Sequence, residues 1–435
     1  MVNSFYKNRT FCVVNLGCKL NFAEASTVAR QLRGMGFVQV GEGEAADAYV
    51  VHTCAVTAQA EKKCRQAIRK LAKQRDGAAI CVTGCYARLK SAELEQMPEV
   101  SLVADKREVA QKIGEHFALP GSARCLLPAA ANDGDDFFSA YSSGNRTRSF
   151  LKVQDGCDYR CSYCTVPLAR GVSRNIAIDK IVAQAREIAA QGVSEIVLTG
   201  VNVGDFGKST GENFLQLAQQ LEAVEGISRY RISSMEPNLL TAELVDFVAG
   251  SPKFLPHFHI PLQAGANRIL GLMRRRYARE QFAEKLLYIR EKMPLAFIGV
   301  DVIVGFPTET EEEFESARAF LEELQPAYLH IFPYSMRPNT PAALMPQVPE
   351  AQISSRAKRL GALCDALHAE FYRKNTGRTS SVLFESARKN GYMLGFSENY
   401  VRVALPYNPE LANKIALARM LGAGEDGNMR CEVVK

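Results

Sequence analysis

The sequence predicts an α/β protein in three parts: an N-terminal parallel α/β domain, a central partial barrel of six βα units, and a small antiparallel β-domain. Three observations lead there. Strand and helix patterns alternate three times in the first hundred residues. The alternation resumes from Phe150, and the last ~60 residues switch to short β runs broken by turn residues.

Taken in order, residues 13–16, 49–52 and 79–82 read as strands, with helices at 24–35 and 61–74. Cys18, Cys54 and Cys85 each fall just past a strand end. In a parallel sheet the carboxyl ends share one rim, where ligands gather. The stretch 131–149 is polar, Gly/Ser-containing and aperiodic, which predicts an interdomain linker. Candidate barrel strands follow at 150–153, 195–198, 230–233, 258–260, 297–302 and 328–332. A proline-rich segment at 333–349 closes this region, and a helix at 354–373 follows it. Runs at 381–385, 391–396 and 400–403 read as the small β-domain.

Composition sets bounds. The chain has 435 residues, 47% hydrophobic and 23% charged, which excludes a disordered or fibrous chain and suggests roughly three domains. The net charge of +6 is compatible with a nucleic-acid partner without demanding one. No apolar run approaches the ~20 residues that span a bilayer, and the first residues lack the apolar core of a signal peptide. A cytoplasmic protein is therefore expected, with no membrane partner. In a reducing compartment its 12 cysteines read as metal ligands, reactive groups or core residues rather than disulfides.

Cys157, Cys161 and Cys164 form the most specific feature, a C-x3-C-x2-C loop directly after a strand. Three thiolates at this spacing can each hold one iron of a [4Fe–4S] cube and leave the fourth iron open for a small molecule. A zinc site or three unrelated cysteines is the alternative, although zinc sites use paired sets and no second pair lies nearby. Cys18, Cys54 and Cys85 form a second candidate triple, against the alternative of buried free thiols. Cys12, Cys64, Cys81, Cys125, Cys364 and Cys431 read as core residues.

With these residues in place, the whole chain resembles the radical S-adenosylmethionine (radical SAM) methylthiotransferases. Gly17-Cys18-Lys19-Leu20-Asn21, His52-Thr53-Cys54-Ala55-Val56-Thr57 and Thr83-Gly84-Cys85-Tyr86-Ala87 are similar to the family's three N-terminal cysteine motifs. Val153-Gln154-Asp155-Gly156-Cys157 and Cys164-Thr165-Val166-Pro167-Leu168-Ala169-Arg170-Gly171 resemble its radical SAM loop, with Tyr163 before the last cysteine. The β-region at the end resembles the RNA-binding TRAM domain. The resemblance implies a methylthiotransferase domain at 8–122, a linker at 123–142, a radical SAM core at 143–373 and a TRAM-like domain at 374–435. It implies two [4Fe–4S] clusters, two SAM molecules per turnover, a tRNA anticodon loop as substrate and an electron donor such as flavodoxin or ferredoxin.

Polar residues at barrel strand ends read as site residues, or else as turn and cap residues. Asn202, Ser234, Glu236, Gln263 and Asp301 are the candidates for SAM contacts together with Tyr163. Arg170 and Arg174, the cluster Arg274-Arg275-Arg276 with Arg279, and Arg402 are candidates for RNA phosphates. Gly-Cys-Lys-x-Asn resembles the branch acting on N6-threonylcarbamoyladenosine beside the anticodon, so Lys19 and Asn21 are candidate substrate contacts. The isopentenyladenosine branch shows Gln-Met-Asn at this place and the ribosomal-protein branch Pro-Lys-Asn, and both remain alternatives. A non-catalytic RNA-binding protein with structural metal sites is the alternative of a different class.

Overall fold

The computed structural model describes residues 6, 8–118, 137–143 and 147–434. The first part is a five-stranded, wholly parallel sheet. Its strands are β1 (Thr10–Asn15), β2 (Val38–Gln39), β3 (Ala48–Thr53), β4 (Ala79–Gly84) and β5 (Leu102–Val103), in the order β2-β1-β3-β4-β5. The central strand β3, Ala-Tyr-Val-Val-His-Thr, is buried throughout, as a strand covered on both faces must be. Register pairs Asn15 with His52 and Thr53 with Gly84, so the ends of β1, β3 and β4 lie level. The two-residue edge strands β2 and β5 were too short to show as runs in the sequence.

Helix α1 spans Lys19–Gly34 and begins five residues before the expected start. Leu20, Ala23, Val28 and Leu32 keep a helical period, but Asn21 and Glu24 are also buried on it. Polar residues at core positions hid the first turn. Helix α2 spans Ala58–Ala72, with the Thr57 side chain accepting from the Ala60 N–H at 3.1 Å.

The central part carries β6 (Arg148–Lys152), β7 (Glu195–Thr199), β8 (Arg229–Ile232), β9 (His257–Gln263), β10 (Phe297–Val304) and β11 (Tyr328–Pro333). All six expected strands are present. They form two parallel three-stranded sheets, β6-β7-β8 and β9-β10-β11. A Ser234–His259 bridge and the Met235 N–H to His259 carbonyl bond at 3.0 Å join the two halves into an open arc. Helices pack outside, where Leu151, Ile196, Leu198, Ile232, Ile260 and Val300 belong to one core with helix residues such as Leu217 and Phe282. Phe150 and Val197 join the N-terminal core instead. Phe22 of α1 meets Phe150 edge-on at 5.8 Å, so α1 packs across the open side of the arc.

The expected linker at 123–142 lies largely outside the described residues, but 137–142 is not a loose tether. Phe137 is buried in the barrel core, Phe138 in the N-terminal core, and Tyr141 bridges Leu151. Arg30 holds the Tyr141 carbonyl at 2.7 Å. The Phe-Phe pair supplies one apolar side chain to each domain, a role that the polar flanks concealed.

A helix at Glu350–Asn375 leads to β12 (Thr379–Lys389), β13 (Tyr392–Ser397), β14 (Arg402–Pro406), β15 (Ile415–Ala423) and β16 (Met429–Val433). They close into a barrel, β12-β13-β14-β16-β15. The expectation of a purely antiparallel domain is corrected at one pair: β14 and β16 run parallel, which closes the barrel. This barrel docks on the N-terminal ends of the central strands. Arg231 donates to the Ser397 and Glu398 carbonyls at 2.7 and 2.9 Å, and Arg229 to Ser381 Oγ at 2.6 Å. No described helix is long and apolar enough to cross a membrane.

Candidate active site

The two cysteine triples sit where their strands end. Cys18 caps α1, Cys54 follows β3, and Cys85 opens the short helix α3 (Cys85–Leu89). Gly84 holds φ +98°, and a Cβ there would stand 2.5 Å from the Thr53 carbonyl. Only glycine permits β3 and β4 to deliver their cysteines side by side. In the barrel loop, Gly156 plays this part: its φ is +72° and a Cβ would lie 1.8 Å from the Val172 carbonyl. All six cysteines are free, and Cys54, Cys85, Cys157 and Cys164 are partly exposed.

Within each triple the thiols act on one another electrostatically. Burial first, then neighbouring thiols, pushes Cys54 up to about 11 and Cys157 and Cys164 up to about 12. Such thiols stay protonated unless a metal takes the proton's place. Three sulfur donors at each site fit an iron–sulfur cube that keeps one iron open. Cys12, Cys64, Cys81, Cys364 and Cys431 are buried as expected, and Cys125 lies outside the described residues.

A buried ion network links the two rims. Lys106, after β5, and Lys152, at the end of β6, both contact Glu24 of α1, at 2.5 and 2.9 Å. They contact Asp155 of the barrel loop at 3.2 and 2.7 Å. Arg170 adds bonds to Glu24 at 3.1 Å and Asp155 at 2.8 Å. Burial raises the carboxyl pKa of Glu24 and Asp155, but Arg170, Lys106 and Lys152 outweigh it, joined at Asp155 by Arg174, and hold both well below the usual range. Burial also lowers Lys152 to about 8, against the pull of Asp155 and Glu24.

Three expected substrate contacts are corrected by this network. Asn21 is buried: its Nδ2 donates to the Thr53 carbonyl at 3.0 Å, and its Oδ1 accepts from Cys18 Sγ at 3.1 Å and Arg170 at 3.0 Å. It ties the cysteine loops together. Arg170 is sealed between the two carboxylates, and Arg174 donates to Asp155 at 3.2 Å and the Arg170 carbonyl at 2.6 Å. None of the three faces solvent as a phosphate-binding group must. Lys19 does remain exposed and lines a cavity of about 270 Å³ with Arg148, Arg231, His257 and Tyr400. Arg402 is exposed on β14.

The expected SAM contacts divide. Asn202 is buried with its Nδ2 unsatisfied, Ser234 borders it through the Val203 N–H to Ser234 carbonyl bond, and Tyr163 packs edge-on to Phe306 at 6.3 Å. Gln154 ties this strand end to the loop, accepting from the Val201 and Asn202 N–H groups at 2.9 and 3.0 Å. Gln263 has φ +65° and is half-buried. Glu236 is taken up by Arg275, whose Nη1 also lies 3.1 Å from Cys161 Sγ. Asp301 is paired with His259 at 2.6 Å, deeper in the arc. The basic run is corrected at Arg275, while Arg274 and Arg276 stay exposed. Arg275 is buried beside the cysteine loop, Arg276 lies over Tyr159 and Arg279 bonds Ser316. Sequence reasoning missed Glu24, Asp155, Lys106 and Lys152, because isolated charges carry no sign of burial, and it gave Arg275 to RNA rather than to the cysteine loop.

Two family models match: the uncharacterized protein family UPF0004 over residues 10–105 and the radical SAM superfamily over 151–321. The chain is 35% identical over 423 residues to the threonylcarbamoyladenosine tRNA methylthiotransferase MtaB of Bacillus subtilis, covering 94% of this chain and 93% of that one. The chain belongs to the radical SAM methylthiotransferase family. A relative of the same name from Aquifex aeolicus is 36% identical, covering 89% and 94%. The tRNA-2-methylthio-N(6)-dimethylallyladenosine synthase of that organism is 30% identical, covering 95% and 96%. The fold is shared with the radical SAM methyltransferase TsrM of Kitasatospora setae, at TM-score 0.52 and 14% identity, covering 98% and 88%. As a radical SAM methylthiotransferase, the enzyme works with SAM and [4Fe–4S] clusters.

Proposed function

We propose that this enzyme methylthiolates C-2 of N6-threonylcarbamoyladenosine at position 37 of tRNA, giving 2-methylthio-N6-threonylcarbamoyladenosine. The observation that carries this reading is the near full-length likeness to five relatives of that named activity, at 31–36% identity. Lys19 beside Cys18 supports it, because an ammonium on the chamber wall can pair with a threonyl carboxylate and has no partner on an isopentenyl group.

In this reading Cys157, Cys161 and Cys164 hold the radical SAM cluster and Cys18, Cys54 and Cys85 the auxiliary one. When bound, these groups and SAM supply the carbon-centred radical, the sulfur and the methyl group. The chain's own residues do the rest. Asn202, Ser234 and Tyr163 offer polar and apolar contacts at the strand ends for SAM. Arg275 donates to Cys161 and neutralises Glu236 beside it. Glu24, Asp155 and their cations fix the spacing of the rims, while the packed arc excludes water. Arg402, Arg388 and Lys389 on the small barrel face solvent and suit RNA phosphates. A flavodoxin- or ferredoxin-type donor in a reducing cytoplasm fits the thiol chemistry.

The test offers the reconstituted enzyme two tRNAs, one threonylcarbamoylated and one isopentenylated at position 37, and reads nucleosides by mass spectrometry. A methylthio product from the first supports the proposal. Product from the second alone rejects the substrate.

A further inference from the structure

Inside the open arc lies a polar group that no cluster role uses. His259 and Asp301 pair at 2.6 Å, with side chains 23% and 16% exposed. His330 stands directly across from Asp301 in the β10–β11 register, its ring 4.8 Å from that of His259. No hydrogen bond from the His330 ring is found among the described residues. Gly299 leaves room at this place: it is the register partner of His259, and a Cβ on it would stand 3.5 Å from His330 Nε2.

The group is coupled electrostatically to both halves of the site. Toward the barrel loop, Asp301 acts electrostatically on Glu236, which Arg275 links to Cys161. Toward the N-terminal rim, Lys19 acts on His330. Burial, then His259 and Lys19, lower His330 to about 4, so it is a neutral donor and acceptor at pH 7. In a purine, C-2 and the carbon bearing N6 flank the same ring nitrogen. A side chain on N6 therefore lies beside C-2, and whatever presents C-2 to the cysteine sites brings that side chain with it.

We propose that His259, Asp301 and His330, with Lys19 opposite, form the pocket that receives the polar N6 side chain of the target adenosine. This rests on the substrate reading above and assigns residues to it. Lys19 takes the carboxylate, while His330 and the Asp301-oriented His259 satisfy the hydroxyl and the urea-like N–H groups. A half-buried polar set of this kind rejects an apolar side chain, which would leave its members unpaired. A divalent ion on the same three side chains is the rival. It would have to break the His259–Asp301 hydrogen bond and sit near the Lys19 cation.

The test uses the reconstituted holoenzyme and three anticodon stem–loops that differ at one adenosine: plain, isopentenylated or threonylcarbamoylated. The wild type should bind the threonylcarbamoyl form at least about tenfold tighter than the plain one. His330→Phe and Lys19→Gln should each cut that ratio at least about fivefold in protein of wild-type cluster iron, while His330→Gln should restore part of it. Retention of the full ratio in both variants at wild-type iron content overturns the proposal alone. One equivalent of zinc or another divalent ion, held by the wild type and lost in His330→Phe, also overturns it. A wild type that thiolates only the isopentenyl form overturns the substrate reading and this pocket with it.

Discussion

Glu24 and Asp155, from different domains, share the same two ammonium groups: Lys106 and Lys152 each touch both carboxylates. Glu24 lies six residues past Cys18 and Asp155 two before Cys157. A contact that joins the domains is therefore also one that spaces the two cysteine rims.

Removing one member should be costly. Glu24→Gln or Asp155→Asn leaves buried cations short of a partner, and losses of about 3–5 kcal/mol are expected for breaking such a set. Urea unfolding of the apoprotein checks this. A loss below about 1 kcal/mol would show that water enters the site and pairs the cations.

Acid should act through the same pair. Both folded-state pKa values are depressed, so their stabilisation is fully present above the unfolded carboxyl value near 4. It is lost as pH falls through the depressed folded values. Unfolding midpoints should fall steeply below about pH 4 in the wild type. In the Glu24→Gln, Asp155→Asn double variant that fall should be shallower.

The two cysteine triples should separate by chemistry. Anaerobic wild-type protein should be brown, with about eight irons and eight sulfides per chain. Replacing Cys157, Cys161 and Cys164 with Ala should halve the iron and abolish SAM cleavage. Replacing Cys18, Cys54 and Cys85 should halve the iron and abolish thiolation while SAM cleavage persists. Colourless, zinc-containing wild-type protein would favour a structural metal site.

Arg275 should tune the cluster at Cys161. A cationic N–H donor to a ligating sulfur stabilises the reduced state, so Arg275→Met should lower the reduction potential, read by an EPR-monitored titration. Arg275→Lys should fall between the two. An unchanged potential in Arg275→Met would confine this arginine to pairing Glu236.

For RNA grip, single substitutions are cleaner than removing the small barrel. Deletion would strip Arg229 and Arg231 of their partners on the small barrel and bare Phe297 and Phe371, which share a core with Val382 and Val403. Arg402→Ala should instead weaken tRNA binding and reduce the salt slope by about one. Unchanged affinity and slope would place the RNA elsewhere.

The sequence made the cysteine rims readable because each lies at a strand end, and parallel topology then dictates where those ends meet. The six central strands were legible by their β-rich runs between helical patterns. What stayed hidden was charge at core positions. Asn21 and Glu24 sit on the buried stripe of α1, and Arg170 and Arg174 looked like free cations after a loop. Arg274, Arg275 and Arg276 looked like one solvated run. Arg274 adopts φ +60°, and its neighbours diverge, Arg275 to Cys161 and Arg276 onto Tyr159. Spacing along the chain does not reveal such a divergence.

The Glu24–Asp155 linkage also bears on how a nucleotide gets in. A seam stitched by five buried charges does not swing open at low cost, so the two cysteine rims keep their spacing when a nucleotide approaches. The RNA must adapt instead: the target base has to leave its loop stack and project singly into the slot. Unstacking costs a few kcal/mol, least for a base already unpaired. A rigid slot thus sorts nucleic acids by how readily one base can be turned out, before any side chain reads that base.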